Sequence, residues 1–399
     1  MGNFDSAIST PIVSSASFSY ENSEEAQNIF CGFSPKPLYS RMGNPTSIKL
    51  EQSLAKHDGG IGAVATSSGM GAISMVVTSL CSSGDEIISI GGLFGGNYTL
   101  FSQTLTRFGI KTHFLSMDES DKIEELINDN TKVIFCESVG NPNLRLTPLD
   151  TITHISNKNG VALLVDNTTT PYLFPLDLGA DIVLYSTTKV ISGNSSALGG
   201  AAIYRAINEN EDKFKQKRYK FMNPFIEKMG QKALIACSKK RALRDFGMSA
   251  NAHASYQTLL GMETLELRNE KIKINCEIIS KGLNENGLNV NHPSLSSNPD
   301  HRLYSSLYKN GTGSIITLDM GTKEKAFALL DGLENIILTA NIGDSRTLAL
   351  HMASTIYRDF TKEEQEFLGV NEGLIRFSIG LEDPQSIIDS ILNSYRGLN

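Results

Sequence analysis

Val161-Ala162-Leu163-Leu164-Val165-Asp166-Asn167-Thr168 joins an uninterrupted apolar run to three polar residues. The run has the length and composition of a strand that is buried on both faces, as the strands of parallel sheets are. Similar short runs recur along the chain, separated by polar stretches of helix length, at residues 62–65, 86–90, 112–115, 133–136 and 182–185. This alternation predicts βαβ units and therefore an α/β fold around a mostly parallel central sheet.

The sequence before and after these alternating runs has a different composition and periodicity. Residues 1–41 are rich in Ser, Pro and Asn and show no sustained periodicity, which predicts an irregular arm lying on the body of the protein or on a partner subunit. We assign residues 42–240 to the α/β domain. In residues 241–399, helical patterns flank two strand-like runs, at 314–319 and 374–379, and predict a smaller α+β domain.

Composition and charge exclude several classes of protein. The 399 residues include 36 Lys and Arg against 43 Asp and Glu, a formal net charge of −7, which argues against binding to nucleic acid or to an anionic membrane. Five scattered cysteines without a Cys-x-x-Cys pair fit neither a disulfide framework nor a zinc site, so we expect no metal. No apolar run reaches the about 18 residues of a membrane helix, and no secretory signal is evident. We therefore expect a cytoplasmic protein.

Polar residues follow the ends of two neighbouring predicted strands. Asp166 ends the first, and Ser186-Thr187-Thr188-Lys189 follows the second. Ligands of parallel sheets bind beyond the carboxyl ends of the strands, where a buried carboxylate is costly unless a cation or a donor meets it. A lysine that can form a Schiff base, together with a carboxylate facing a pyridinium nitrogen, is the protein side of pyridoxal phosphate chemistry. Taken singly, a strand-end Asp is more often a helix cap, and a lone Lys is nearly always a solvated surface charge.

A glycine-rich stretch, Ser68-Gly69-Met70-Gly71, lies between a predicted strand and a helical pattern. A strand, a tight turn and a helix N-terminus together form a cradle of backbone N–H groups that can bind a phosphate. A dinucleotide-binding fingerprint would need a third Gly or Ala where Ser74 stands, so the match to that class is poor. The stretch therefore favours a single phosphate group, with a plain turn as the alternative.

Five motifs together resemble the trans-sulfuration family of pyridoxal-phosphate (PLP) enzymes, which includes the cystathionine synthases and lyases, methionine γ-lyase and the O-acylhomoserine sulfhydrylases. The motifs are Tyr39-Ser40-Arg41 with Asn44-Pro45-Thr46, then Ser68-Gly69-Met70, then Glu137-Ser138 with Asn141-Pro142, then Asp166-Asn167-Thr168, and last Ser186-x-Thr188-Lys189. The resemblance extends from about residue 11 to residue 382. It implies the aspartate-aminotransferase-like fold of PLP enzymes, known as fold type I, with PLP as the cofactor.

The resemblance also implies a role for each matching residue. Lys189 would hold the cofactor as a Schiff base and move protons, Asp166 would pair with the pyridinium nitrogen, and Phe94 would stack on the ring. The other cofactor-binding positions would be Tyr39, Arg41, Ser68, Gly69, Met70, Asn141, Ser186 and Thr188.

The same resemblance implies a substrate site and an assembly. Arg376 would bind the substrate carboxylate through its guanidinium fork, with Asn341 beside it. Tyr39 and Arg41 would reach the phosphate of the neighbouring subunit, which implies a homotetramer built from two dimers that share active sites.

Phe94 narrows the expected activity. It stands where relatives usually have the Tyr that stacks on the cofactor ring, and it keeps the aromatic face without the hydroxyl. In many relatives that hydroxyl is thought to protonate the leaving group, so we expect a substrate whose acyl group leaves with little help. Residues 243–247 and 340–344 also resemble the O-acetylhomoserine sulfhydrylases. The resemblance thus implies γ-replacement, in which homocysteine for methionine biosynthesis forms from O-acetyl- or O-succinylhomoserine and sulfide.

Other positions leave alternatives open. Tyr185 and Asn194 replace two common histidines, and Met352 replaces a proline of the family pattern. Within the family, the alternatives are a methionine γ-lyase, which generally has Cys where Gly96 stands, and a cystathionine γ-synthase or lyase. The acyl group, the sulfur donor, the balance between replacement and elimination, and any regulation stay open. From another class, a dinucleotide-dependent oxidoreductase fits the α/β pattern but lacks its fingerprint.

Overall fold

The computed structural model describes residues 7–34, 36–208 and 213–398. Its larger sheet has seven strands, β1 (Gly62–Thr66), β2 (Glu86–Ile90), β3 (Lys111–Leu115), β4 (Thr131–Glu137), β5 (Ala162–Asp166), β6 (Ile182–Tyr185) and β7 (Gly200–Tyr204). They are ordered β1-β7-β6-β5-β4-β2-β3. The five strands from β6 to β3 run parallel, and β7 pairs antiparallel with β6 and with β1. The predicted mostly parallel sheet is thereby confirmed.

The burial of both faces of strand β5 explains why its sequence is continuously apolar. The side chains of Ala162 and Leu164 pack into one buried cluster, and those of Leu163 and Val165 pack into another. Successive side chains of a strand point to opposite faces, so both faces of this strand lie in the core. The first polar position, Asp166, comes where the strand ends and the cavity described below begins.

The smaller sheet has five strands, β8 (Val290–Asn291), β9 (Ile315–Asp319), β10 (Ile337–Leu338), β11 (Leu348–His351) and β12 (Leu374–Ser378). They are ordered β10-β11-β12-β9-β8, and the central strand β12 pairs antiparallel with β11 and β9. The predicted smaller α+β unit in the C-terminal part of the chain is thus confirmed. The domain limits at residues 41 and 240 remain predictions.

Helices cover both sheets. They are α1 (Ser23–Cys31), α2 (Pro45–His57), α3 (Gly69–Leu80), α4 (Gly95–Thr99), α5 (Ile123–Leu126), α6 (Leu149–Asn159), α7 (Asn223–Met229), α8 (Ala233–Ser238), α9 (Arg244–Phe246), α10 (Ala252–Glu263), α11 (Leu265–Glu285), α12 (His301–Ser306), α13 (Lys323–Asp331), α14 (Lys362–Phe367) and α15 (Pro384–Arg396). Short turns of 3-10 or π geometry lie at Leu100–Thr104, Leu105–Phe108, Met117–Lys122, Lys213–Lys215, Lys217–Met222, Gly230–Lys232 and Lys239–Leu243. Among the described residues, none of the helices combines the length and the hydrophobicity of a membrane span.

The N-terminal arm differs in one respect from the sequence-based expectation. Its first six residues lie outside the described part of the chain, and the remainder contains helix α1, which the lack of periodicity did not predict. The helix is defined by its ends, since the Asn22 side chain accepts the N–H of Glu25 and Gly32 closes the last turn with a left-handed backbone. A short helix with only Ile29 buried leaves too weak an apolar pattern to be recognised.

Candidate active site

A cavity of about 360 Å³ lies at the carboxyl ends of the parallel strands and takes residues from both sheets. It brings together ten of the predicted site residues, namely Ser68, Gly69, Met70, Phe94, Asn141, Asp166, Ser186, Thr188, Lys189 and Arg376. Asn341 lies between the lining residues Ala340 and Ile342 and contacts Lys189. The cavity of this chain does not include Tyr39 or Arg41.

Lys189 supplies an amine inside the cavity. Its Nζ donates a hydrogen bond to Asn341 Oδ1 at 2.6 Å. Burial, with the neighbouring charge of Arg376, lowers the pKa of Lys189 to about 8. A lysine with a lowered pKa is more often neutral near neutral pH, and a neutral amine can attack a carbonyl or accept a proton.

Asp166 supplies a carboxylate at the end of β5. Thr168 donates to its Oδ1 from the hydroxyl at 2.5 Å and from the backbone at 3.1 Å, and Asn97 Nδ2 lies 3.3 Å from its Oδ2. Burial raises the pKa of Asp166, and these donors oppose that rise. The Thr168 hydroxyl also accepts the N–H of Ser186 at 2.8 Å, which ties the ends of β5 and β6 together. This buried acid suits a cationic N–H donor such as a pyridinium nitrogen.

The glycine-rich stretch forms the N-terminus of α3, where Ser68 caps the helix by accepting the N–H of Gly71. Within the described ranges, the N–H groups of Gly69 and Met70 donate no hydrogen bond to the protein. A Cβ on Gly69 would lie 2.6 Å from the Cβ of Ser186, so only glycine allows the helix to approach that loop so closely. Two free N–H groups beside the Ser186 hydroxyl suit the phosphate of PLP.

Thr188 is more constrained than Ser186. Its hydroxyl donates to Gly199 O at 3.1 Å and accepts the Gly199 N–H at 3.0 Å. The hydroxyl proton is therefore already used in shaping the loop that carries Lys189. Direct phosphate binding by Thr188 stays a prediction.

Arg376 lies at the centre of the smaller sheet, on β12, and is only 2% exposed. Its Nη1 donates to Asn141 Oδ1 at 3.1 Å and its Nη2 to Asn341 O at 3.4 Å. Neither partner is an acid, and no carboxylate of the described residues forms an ion pair with it. Burial lowers the pKa of Arg376 to about 10. A buried arginine without an acidic partner is suited to a carboxylate brought by a ligand.

Phe94 is fixed by a hydrogen bond of its backbone, and its ring lies against Gly96. Glu137 Oε1 accepts the Phe94 N–H at 2.7 Å. A Cβ on Gly96 would lie 2.6 Å from Phe94 Cε1, so glycine at 96 leaves space for the ring. The departure at 94 and the residue at 96 therefore belong to one packing arrangement.

Two residues in and around the cavity, Glu137 and Tyr357, were given no role from the sequence, although Glu137 belongs to one of the five motifs. Glu137 also accepts Asn97 Nδ2 at 2.8 Å, and burial together with the nearby Asp166 raises its pKa well above the usual range. Its place at the end of a predicted strand was a usable signal. Tyr357 donates to Asn141 O at 2.9 Å and accepts the Gly95 N–H at 3.2 Å, but it lies more than 200 residues away in sequence and has no local signal.

Two departures from the family pattern lie outside the cavity. Tyr185 is buried, donates to Asp58 Oδ1 at 2.7 Å and accepts Asn167 Nδ2 at 2.8 Å. Met352 is buried in the core of the larger unit. Neither lines the cavity, so neither substitution changes its shape directly.

Tyr39 and Arg41 lie on the surface. The Arg41 guanidinium lies 5.6 Å from the centre of the Tyr39 ring, and Arg41 Nη1 donates to Arg244 O. Their predicted contact with the phosphate of another subunit remains a prediction.

Comparison with known proteins finds relatives that match nearly the whole chain. Residues 3–396 match the family described as Cys/Met metabolism PLP-dependent enzyme. The homocysteine synthase of Schizosaccharomyces pombe is 34% identical, over 96% of this chain and 92% of the relative, and the O-acetyl-L-homoserine sulfhydrylase of Leptospira meyeri is 33% identical, over 96% and 90%. Among solved structures, a putative O-acetylhomoserine (thiol)-lyase from Campylobacter jejuni, which contains a pyridoxyl-lysine monophosphate, superposes with a TM-score of 0.92 at 34% identity, over 99% of this chain and 96% of the other.

Proposed function

The chain belongs to the Cys/Met metabolism PLP-dependent enzymes, and from this premise we propose that it is an O-acylhomoserine sulfhydrylase of methionine biosynthesis. In this reaction, sulfide replaces the acyl group of O-acetyl- or O-succinylhomoserine and gives homocysteine and a free carboxylate. The activities of its relatives support the reaction type. The observation that carries the choice of substrate is Phe94, which lines the cavity without a hydroxyl to protonate a poor leaving group.

The residues of the chain divide the work. When bound, PLP supplies an electron-accepting ring that stabilises negative charge developing on a substrate amino acid. Arg376 binds the substrate carboxylate and orients the molecule. The Lys189 amine, hydrogen-bonded to Asn341, would accept and return protons. The Asp166 carboxylate, hydrogen-bonded to Thr168 and Asn97, would pair with the ring nitrogen of the cofactor. Phe94, which lines the cavity, would stack on the cofactor ring and exclude water. An acyl group departs as a stable carboxylate, so no acid is needed at this position.

A product assay tests the proposal. The purified enzyme is given O-acetylhomoserine and O-succinylhomoserine, with and without sulfide, and homocysteine and 2-oxobutyrate are measured. Homocysteine that depends on sulfide supports the proposal, and the faster ester identifies the acyl group. If neither ester yields homocysteine, the proposal is wrong. In that case 2-oxobutyrate from methionine would indicate a γ-lyase, and cystathionine formed with cysteine would indicate a γ-synthase.

Phe94→Tyr tests the reason for preferring ester substrates. The added hydroxyl should increase methionine elimination at least about tenfold, because a positioned general acid contributes about 100- to 10,000-fold. Ester turnover should change little. The measurement is the ratio of methionine elimination to ester replacement. Phe367→Tyr is the control, since this ring packs on Tyr98 and Phe114 outside the cavity. An unchanged ratio in Phe94→Tyr would remove this argument for esters.

We propose that Tyr39 and Arg41 complete the phosphate site of a neighbouring subunit. Two subunits that share active sites in this way would form a dimer, and two such dimers would form a homotetramer. The phosphate cradle described above offers neutral donors from its own chain, and both arm residues are exposed on the surface. A cation from a partner would balance the phosphate charge.

All five cysteines of the chain are free, which favours a cytoplasmic location as part of the same proposal.

Mixed dimers test this sharing of sites. Arg41→Ala damages the partner's site, whereas Lys189→Ala damages its own. A dimer of one subunit of each kind should therefore have one intact site and about half of the wild-type activity. Co-expressed subunits carrying two different tags allow the mixed dimer to be purified and assayed. If mixed dimers are as inactive as both parents, the arm serves its own subunit.

A further inference from the structure

Ser195 has an unusual backbone conformation close to the candidate active site. Its φ is +57°, in the left-handed region, and only Leu144 and Asn335 share this feature among the described residues other than glycine. A residue other than glycine is disfavoured there, and such strain persists only where surrounding contacts maintain it. The Ser195 hydroxyl makes such contacts, with Asp344 and with Asn341.

A chain of hydrogen bonds runs from Lys189 through this hydroxyl. Lys189 Nζ donates to Asn341 Oδ1 at 2.6 Å, and Asn341 Nδ2 donates to Ser195 Oγ at 2.8 Å. Ser195 in turn donates its hydroxyl proton to the Asp344 carboxylate. The chain thus joins the loop after β6 to the segment 341–344 of the smaller unit.

The chemistry of the two ends fixes the direction of this chain. Asp344 is buried, and Arg346 holds its Oδ1 through the backbone N–H at 2.9 Å and Nε at 2.8 Å. An ionised carboxylate only accepts hydrogen bonds, so the single proton of the Ser195 hydroxyl is committed to it. The hydroxyl oxygen then accepts from the Asn341 NH₂ group. Asn341 must consequently turn its carbonyl oxygen toward Lys189, whose amine is a donor.

We propose that Ser195 is a positioning residue that fixes the Asn341 amide, so that the carbonyl rather than the NH₂ group faces the Lys189 amine. The inference rests on the proposed role of Lys189 as the proton carrier. Without the hydroxyl, the amide is free to turn over, and its NH₂ group would then meet the N–H donors of the amine. The freed amine would lose the acceptor that holds it in place during proton transfer.

Two substitutions separate the backbone from the hydroxyl. Ser195→Gly removes the hydroxyl and also the backbone strain, because glycine adopts a left-handed conformation freely. Ser195→Ala removes the hydroxyl and keeps the strain. The thermal unfolding midpoint of cofactor-free protein should be higher for Ser195→Gly than for Ser195→Ala. Both variants should nevertheless lose about tenfold in kcat, with KM for the ester nearly unchanged, because one hydrogen bond is lost and Arg376 is untouched.

Asn335→Gly is the matched control. Asn335 is exposed, has a φ of +61° and does not line the cavity, so relieving its backbone should leave kcat unchanged. The inference is overturned if Ser195→Gly keeps the wild-type kcat, or if kcat follows the unfolding midpoint across the variants. The family reaction that the wild-type enzyme performs serves as the assay. The products of the wild-type enzyme therefore show separately whether the proposed sulfhydrylase activity fails.

Discussion

Lys189→Ala is expected to lower turnover at least about 10,000-fold, as removal of a central catalytic group does in other enzymes. Among the residues that the structure describes, Lys189 is the only lysine lining the cavity, and it contacts Asn341 there without an acidic partner that would keep it charged. Alanine leaves neither an amine to bind the cofactor covalently nor a base to accept the substrate proton. Borohydride reduction followed by mass spectrometry should find the cofactor attached at Lys189 in the wild type and no attachment in the variant.

The control for this result is Lys122→Ala. Lys122 lies 3.0 Å from Glu119 in an exposed ion pair, so its loss should leave turnover nearly intact. Circular dichroism of Lys189→Ala should match the wild type, since within the described residues the amine makes a single hydrogen bond, to Asn341. Substantial turnover by a folded Lys189→Ala enzyme would exclude the proposed chemistry altogether.

Arg376→Leu is expected to raise KM for the acylhomoserine ester by about 30-fold or more, since truncating one partner of a buried charged pair costs about 2–5 kcal/mol. The substrate carboxylate would enter a buried site without its cation. Arg376→Lys should recover only part of the loss, because an ammonium restores the charge but not the planar fork. Steady-state kinetics with O-acetylhomoserine gives KM and kcat for each variant.

A substrate variant makes the Arg376 experiment sharper. The α-carboxamide of O-acetylhomoserine lacks the α-carboxylate that Arg376 would bind. The wild-type enzyme should therefore strongly prefer O-acetylhomoserine to this amide, and Arg376→Leu should lose that preference. Arg107→Leu is the control, since Arg107 is exposed on a turn and does not line the cavity. A persisting preference for the acid in Arg376→Leu would place the carboxylate site elsewhere.

The sequence was most informative where fold and site share local patterns. The buried run of β5 and the polar residues that follow it are contiguous, so the uninterrupted apolar run and the strand-end chemistry together predicted Asp166 as a site residue. The turn that carries Lys189 is likewise local. Asp166 follows β5 and Lys189 follows β6, and these parallel strands are adjacent in the sheet. Their carboxyl ends, and the residues that follow them, therefore lie close together.

Features that depend on distant parts of the chain could not be predicted. The contacts of Tyr357 with Gly95 and Asn141 join segments more than 200 residues apart. The engagement of the Thr188 hydroxyl by Gly199 depends on how a loop folds back, which no spacing rule describes. The strained backbone of Ser195 belongs to the same class, because a serine gives no local indication of a left-handed φ.

The cavity draws Lys189 and Asp166 from the seven-stranded unit and Arg376 from the five-stranded unit. A substrate that engages residues of both units at once acts as a clamp between them. Its binding free energy then adds to the free energy that holds the units together, in proportion to the logarithm of its concentration. We therefore expect the thermal unfolding midpoint of the protein to rise with the concentration of its substrate.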